Sequence, residues 1–525
     1  MGRTKPEPYV IKRLVAATVF VAVAIVVLTR GLKLSNQNID TTLLRISFPY
    51  SMPANAYEPS RIHLAPEYIF LENTFSPLVE MSPMGQVEAG VAERFYWVGN
   101  SIHFVIRKSL KTISGIPITS ADAAFSLKRL MLMPENTHGD FKDLICGSSD
   151  FKKMDDICAG IQTTAEELIL STTNAGRTFL LPMLVAADFS IIPRSSVDPH
   201  SFKIINYRET SGPYFVSMDD LAGHIRLTAN PAHYHYSKSI PQNIELVPAS
   251  TTDRLGSIAE FESHKIDFIT TVDLARADEI ISYSKNSEDS VLHKTLNIRS
   301  FILKFTERGL RELTRQQRIS IGNAARSALV SEFAGKDGFE ASKQFFPSFG
   351  DGALNEDELK NVAASLSSSG SAGDLPKLKM SLVRLGDVSR FVIALQKGLP
   401  EVEIKEGSKN PEFLKYSDIS DMPHMSIIGP DTGFQEDIGL ITYSLNAGYF
   451  GMTKQEREAW LLSYMGVENK FERLDLLKRA QISALEAPII VPLLTAPYAA
   501  LARKPWKIEL SQLYANNQLW LLHKN

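Results

Sequence analysis

Residues 75–127 read FSPLVEMSPMGQVEAGVAERFYWVGNSIHFVIRKSLKTISGIPITSADAAFSL, and the change of pattern inside this stretch decides the fold class. Gly85 marks a turn, Phe95-Tyr96-Trp97 is a strand-forming run, and Val98-Gly99-Asn100 leads into SIHFVIR, which alternates. A hairpin is therefore predicted over 85–108. The period then lengthens. Over 119–131 Ser120 can cap a helix, Asp122 sits in its first turn, and Ala124, Phe125, Leu127 and Leu130 supply an apolar face. Strand signals followed at once by a capped helix predict a mixed α/β protein.

The same alternation extends in both directions. Residues 43–48 (LLRISF) read as a short buried strand and 68–79 as an apolar helical segment. Further on, 167–171, 214–217, 224–228 and 243–247 are strand-like, whereas 254–264 and 316–331 are helical. The low-complexity stretch 365–373 (SLSSSGSAG) reads as a surface loop. A strand at 378–383, an amphipathic helix at 388–399 and a strand at 402–406 then make a βαβ unit. Helices return at 454–465 and 471–485, and no repeat of fixed period is present.

The chain has 525 residues, 44% hydrophobic and 22% charged, with a formal net charge of −3. That is enough for two or three domains and gives no electrostatic case for nucleic acid. Residues 14–28 (LVAATVFVAVAIVVL) are apolar or small throughout, with Thr18 the sole hydroxyl. Arg3, Lys5, Lys12 and Arg13 precede them, and only Arg30 and Lys33 follow closely, so a cytoplasmic N-terminus and an exported remainder are expected. The stretch TRGLKLSNQ that follows Leu28 offers no small-x-small site and no cysteine. The expectation is a retained single-pass anchor over 1–34 and a tether at 35–40, with a cleaved signal peptide as the alternative. Cys146 and Cys158, the only two cysteines, could close a disulfide loop contributing on the order of 3 kcal/mol; the alternative is two unrelated thiols.

Several segments, in order, resemble the peptide/nickel-type extracellular solute-binding family, whose members serve ABC importers. They are Phe75-Ser76-Pro77-Leu78-Val79, Gly85, Ala89-Gly90-Val91-Ala92-Glu93, His103-Phe104-Val105-Ile106-Arg107-Lys108, Gly115, Pro117 and Thr119-Ser120-Ala121-Asp122. Ser211-Gly212-Pro213-Tyr214, Asn230-Pro231, Lys265-Ile266-Asp267, the helix at 389–399 and the closing region 487–524 continue the likeness, the last resembling oligopeptide-binding members. The resemblance covers about residues 41–525. It implies a two-lobed periplasmic-binding-protein-like fold (type II, with an inserted subdomain) that closes over ligand about a hinge. Lobe I would be discontinuous over 41–72, 207–298 and 486–525, the inserted subdomain would be 73–206, and lobe II 299–485.

The family holds a peptide's amine with an aspartate in a G-W-x-x-D-Y segment. The corresponding stretch here is Ser426-Ile427-Ile428-Gly429-Pro430-Asp431-Thr432, which makes Asp431 the candidate ligand contact, although the tryptophan and tyrosine are absent. A turn aspartate after Gly-Pro is the alternative. Thr306 stands where the family has asparagine, Thr210-Ser211 replaces Gly-Thr, and the tryptophan expected after Asn230-Pro231 is missing. Arg384 and Arg390 match no motif and read as solvated surface charges. His233-Tyr234-His235 could ligate metal from one strand face, but a polar turn is the simpler reading. One Asp431-Thr432-Gly433 does not make an aspartic protease, which needs two such carboxylates. No nucleophile elbow, P-loop or zinc-protease motif is present.

The expectation is a binding protein and not an enzyme, without cofactor or metal. It would deliver a peptide-like solute to ABC permease subunits from the outer side of the cytoplasmic membrane. The alternatives are a diverged cleft serving as a sensor or envelope assembly component, and an exported hydrolase.

Overall fold

The hairpin predicted from 85–108 forms in a computed structural model of the chain as Ala92–Val98 paired antiparallel with Ser101–Ile106. Val98 faces Ser101 across Gly99-Asn100, and Gly99 takes φ +59°, a region that costs glycine nothing. Glu167–Ser171 and Ile161–Thr163 extend this hairpin to a four-stranded sheet. Helix Ser120–Leu132 packs on it, capped by Thr119 and not by Ser120. Thr119 is extended and exchanges bonds with Asp122 in a capping box, while Ser120 is already helical and donates to the Thr164 carbonyl at 2.7 Å.

The structure describes residues 42–48, 53–62, 65–133, 141–220, 224–248, 258–270, 277–336, 338–367, 377–383, 389–407, 410–432, 438–515 and 517–524. Segment 14–28, the 35–40 tether and Arg384 lie outside them. Among the described residues no helix is long and apolar enough to cross a membrane. The chain divides into two units, Met1–Leu43 and Leu44–Asn525, and the second carries the sheets and their cores.

Two larger sheets organise that unit. The seven-stranded one runs Ser290–Lys294, Ala499–Arg503, Phe268–Thr270, Leu43–Phe48, Asn243–Pro248, Ile225–Ala229, Tyr214–Asp219. The six-stranded one runs Glu340–Ala341, Ile490–Ala496, Arg299–Phe305, Met425–Ile428, Leu378–Val383, Val402–Gly407. The βαβ unit read from 378–406 is present: Leu378 pairs in parallel with Val402 across helix Ser389–Gly398. Arg299–Phe305 is buried along its whole length, as a strand covered on both faces requires. The helix expected over 68–79 instead spans Ala65–Thr74. Pro77 ends the helical run, and Val79–Met81 turns into a two-stranded ribbon with Val87–Ala89.

Of the two readings of the cysteines, the structure has the unbonded one. Both are free thiols, Cys146 exposed and Cys158 buried in the core beneath the four-stranded sheet.

A buried ion pair fixes that sheet's helix to the segment preceding helix Ala65–Thr74. Arg129 Nη1 and Nη2 meet the two Glu58 oxygens at 2.9 and 2.5 Å, and Arg129 Nε donates to the Phe202 carbonyl at 2.6 Å. Arg129 is 2% exposed, so loss of its carboxylate would leave an uncompensated interior charge. Glu58→Ala is expected to destabilise the protein by about 3–5 kcal/mol, whereas Glu58→Leu combined with Arg129→Met recovers most of that. Calorimetric unfolding midpoints check both; equal midpoints for the single variant and the native chain would refute the assignment.

Candidate functional site

The chain passes between the two large sheets twice, and the two passages lie side by side. One runs from Lys294 to Arg299, the other from Ala496 to Ala499. Thr295 N–H donates to the Tyr498 carbonyl at 2.9 Å, and Tyr498 N–H donates to Thr295 Oγ1 at 2.8 Å. Leu296 N–H donates to the Gln512 carbonyl at 2.8 Å, which ties the C-terminal segment to the same place. Short paired connections of this kind are where a few backbone dihedrals can absorb a rotation of one sheet against the other.

Asp431 sits at this junction. Met425–Ile428 runs antiparallel to Arg299–Phe305 with Ile302 opposite Ile428, and the register continues past Gly429-Pro430 to an isolated bridge between Arg299 and Asp431. Ser300 N–H donates to the Pro430 carbonyl at 3.1 Å and Thr432 N–H to the Ile298 carbonyl at 3.0 Å. Arg299 Nε donates to Asp431 Oδ1 at 2.7 Å, with the guanidinium 4.1 Å from the Tyr498 ring centre. The arginine side chain is 5% exposed and the aspartate's 40%. Burial pulls the guanidinium pKa down, but Asp431 and Tyr498 outweigh it and the net direction is up. Burial pushes Tyr498 up to about 12, so its hydroxyl stays protonated. The site therefore presents a half-exposed carboxylate braced from behind by a buried cation.

Glu72, late in helix Ala65–Thr74, adds a second carboxyl whose charge is felt at Tyr498. Burial raises its pKa to about 7, against the N–H that Asn517 donates at 3.1 Å and with help from Asp188.

Other residues singled out in the sequence lie elsewhere. Thr306 is a buried helix cap at the far end of its strand, its Oγ1 accepting from Gly309 N–H at 3.3 Å; threonine fills the cap as asparagine would. Thr210 and Ser211 are structural: Thr210 Oγ1 donates to the Tyr214 carbonyl at 2.9 Å, and Ser211 Oγ accepts from Ser76 N–H at 3.1 Å. Arg390 is no solvated surface charge. It grips both Asp278 oxygens, at 3.0 and 2.9 Å, with its guanidinium 4.8 Å from the Phe333 ring centre.

His233-Tyr234-His235 folds into a buried network. His233 Nε2 and Ser76 Oγ are 3.1 Å apart, the spacing of a nucleophile and its base. Yet His233 Nδ1 accepts the His235 backbone N–H at 3.2 Å, which places the imidazole proton on Nε2 and makes His233 the donor to Ser76. Burial holds its pKa well below the usual value, so it stays neutral. That geometry cannot activate the serine. His235 pairs with Glu80 at 2.7 Å, and among the described residues no three His, Cys, Asp or Glu side chains are grouped to hold a metal ion.

No family model and no curated protein matches the chain. Solved structures do. Haemophilus influenzae OppA in complex with RPPGFSPFR superposes with a TM-score of 0.69 at 11% identity, over 92% of this chain and 99% of that one. The fold is that of the oligopeptide- and nickel-binding proteins. Brucella suis NikA with Fe(III)-EDTA gives a TM-score of 0.70 at 15% identity, over 92% and 100% of the two chains. The Escherichia coli murein tripeptide binding protein MppA gives 0.67 at 15% identity, over 92% and 98%. In its unliganded open form, over the same shares at 14% identity, it gives 0.60. At these identities the likeness establishes the two-lobed architecture and leaves function to the site.

Sequence reading placed Asp431 but not Arg299, Tyr498 or Glu72. A signal for the first existed: an arginine opening a strand as rich in large apolar residues as RSFILKF must find an anion.

Glu72 gives a pH test. Its folded-state value of about 7 lies above the ordinary 4.5, so its contribution to stability is intact below the ordinary value and is lost as pH rises toward 7. Some solvent access keeps the loss under about 3 kcal/mol. Glu72→Gln should flatten the decline in unfolding midpoint across this window and raise the midpoint at pH 8. An unchanged slope would remove Glu72 from the site's electrostatics.

Proposed function

We propose that the chain is an extracytoplasmic solute-binding protein that closes two lobes over a peptide-like ligand and presents it to an ABC importer. The carrying observation is the pair of adjacent passages between the large sheets, joined by the reciprocal Thr295–Tyr498 bonds. The seven-stranded sheet would be the core of lobe I (41–72, 207–298 and 486–525), and the six-stranded sheet that of lobe II (299–485). The four-stranded sheet would be the core of the inserted subdomain (73–206). Residues 14–28 would anchor the chain, with the bulk outside the cytoplasmic membrane. Neighbours of the same fold hold a nonapeptide and a metal chelate.

Asp431 is the group suited to a ligand amine. Arg299 occupies its Oδ1, and among the described residues no other hydrogen-bond partner engages the carboxylate. The same bond favours a second reading. A carboxylate that already neutralises a buried arginine has a structural duty, as expected of a diverged cleft serving a sensor or assembly role. The hydrolase reading has no support in Ser76, whose histidine neighbour donates to it.

The chain purified from an exporting host without refolding should carry peptides, visible by native mass spectrometry and lost on denaturation. N-acetylation of a bound peptide should weaken it roughly 10- to 100-fold, the worth of a charge-assisted hydrogen bond, and Asp431→Asn should abolish that discrimination. A clean apo mass with no thermal shift from peptides, nickel or sugars would transfer the case to the second reading.

A further inference from the structure

The body built on the four-stranded sheet meets its two neighbours through unlike chemistry. Toward the seven-stranded sheet the contacts are directional and buried. They include the bidentate Arg129–Glu58 pair, Ser76 N–H to Ser211 Oγ at 3.1 Å and Ser211 Oγ to the Ile191 carbonyl. Toward the helices on the six-stranded sheet, rings make the contact. Helix Asn174–Met183, capped by Thr173, turns Phe179 onto Tyr464 of helix Lys454–Gly466, with centroids 5.9 Å apart and planes 26° apart. Tyr464 stacks in turn on Trp460 at 5.0 Å. The Arg473 guanidinium lies 5.4 Å from the Phe179 ring centre, and its Nη1 donates to the Val467 and Glu468 carbonyls at 2.7 and 2.8 Å. Phe179 is 2% exposed and Tyr464 fully buried, so one apolar core runs across both bodies without a break.

These two interfaces respond differently to separation. Parting a buried bidentate ion pair strands charges in a poor solvent. Stacked rings are held by burial and dispersion and can separate and re-form without stranding a polar group. The ring face is the one that can open, and it is shut by protein side chains alone.

We propose that Phe179, Tyr464, Trp460 and Arg473 form a latch that holds the inserted subdomain against lobe II in the absence of solute. The proposal rests on the two-lobed, hinged reading above. A latched apo state means that solute does not have to supply the whole free energy of closure. Solute access then depends on how often the rings part.

Distance measurement by pulsed electron spin resonance on the full chain in detergent tests this. Cys146 is exposed and serves as one labelling position, whereas Cys158 is buried, and burial pushes its thiol pKa up. A second label goes on Lys405→Cys, where the lysine side chain is 76% exposed. The doubly labelled chain without solute should show one short distance. Phe179→Leu and Tyr464→Leu, each keeping an apolar core, should each add a longer distance. The open-to-closed ratio should rise roughly three- to tenfold for the lost ring pair. Equal populations of both distances in the parent and both variants would overturn the latch while leaving the hinge in place. A single unchanged distance throughout, with saturating peptide as well as without, would overturn both. Unchanged calorimetric midpoints for Tyr464→Leu would separate opening from partial unfolding.

Discussion

A buried guanidinium must be paired, and Arg299 stands where the chain leaves one sheet for the other. Its side chain binds Asp431 and lies against Tyr498, so it joins the first passage to the second and both to the strand that ends at Gly429-Pro430. The Thr295–Tyr498 backbone bonds then make the two passages a single connection. Were these groups apart, the two large sheets would be linked by independent tethers and could swing without a common axis. Held together, they act as one connection, with the half-exposed Asp431 carboxylate beside it.

The same arginine gives the candidate site a mixed character. In water an aspartate and an arginine at hydrogen-bond distance gain little from each other, but a nearly dry cation makes the pair costly to break. Asp431 is therefore first of all a support for Arg299. Around it stand Tyr498, kept neutral, and Glu72, poised near neutrality by burial. The charge felt at Tyr498 therefore changes with the protonation of Glu72 near pH 7.

Much of the architecture was legible in the chain because local chemistry and tertiary demand agree. The 92–106 hairpin, the 378–407 βαβ unit and the helix from Arg315 to Phe333 each carry the right period, and Gly99 or a capping threonine stands where the backbone needs it. Misreadings arose where one residue type serves two geometries. Ser120 and Thr119 can both cap, and only the extended backbone of Thr119 settles which one does. Two cysteines twelve positions apart suggested a bridge, but Cys158 faces the core and Cys146 the solvent. Arg390 looked like a surface charge because Asp278 is far away in sequence and near only after folding. Asp431 was singled out and Arg299 was not; the bond between them spans 132 residues and no periodicity encodes it.

The order of strands in the seven-stranded sheet has a consequence for biogenesis. Ala499–Arg503, the last strand of its sheet in chain order, lies between Phe268–Thr270 and Ser290–Lys294 and pairs with both. Until the ribosome has delivered it, Ser290–Lys294 has no neighbour in its sheet and the second passage does not exist. A nascent chain that has not yet reached Ala499 thus exposes unpaired strand edges and part of an apolar core, the state that aggregates and recruits chaperones. Synthesis must pass Arg503 before the two-sheet architecture can form.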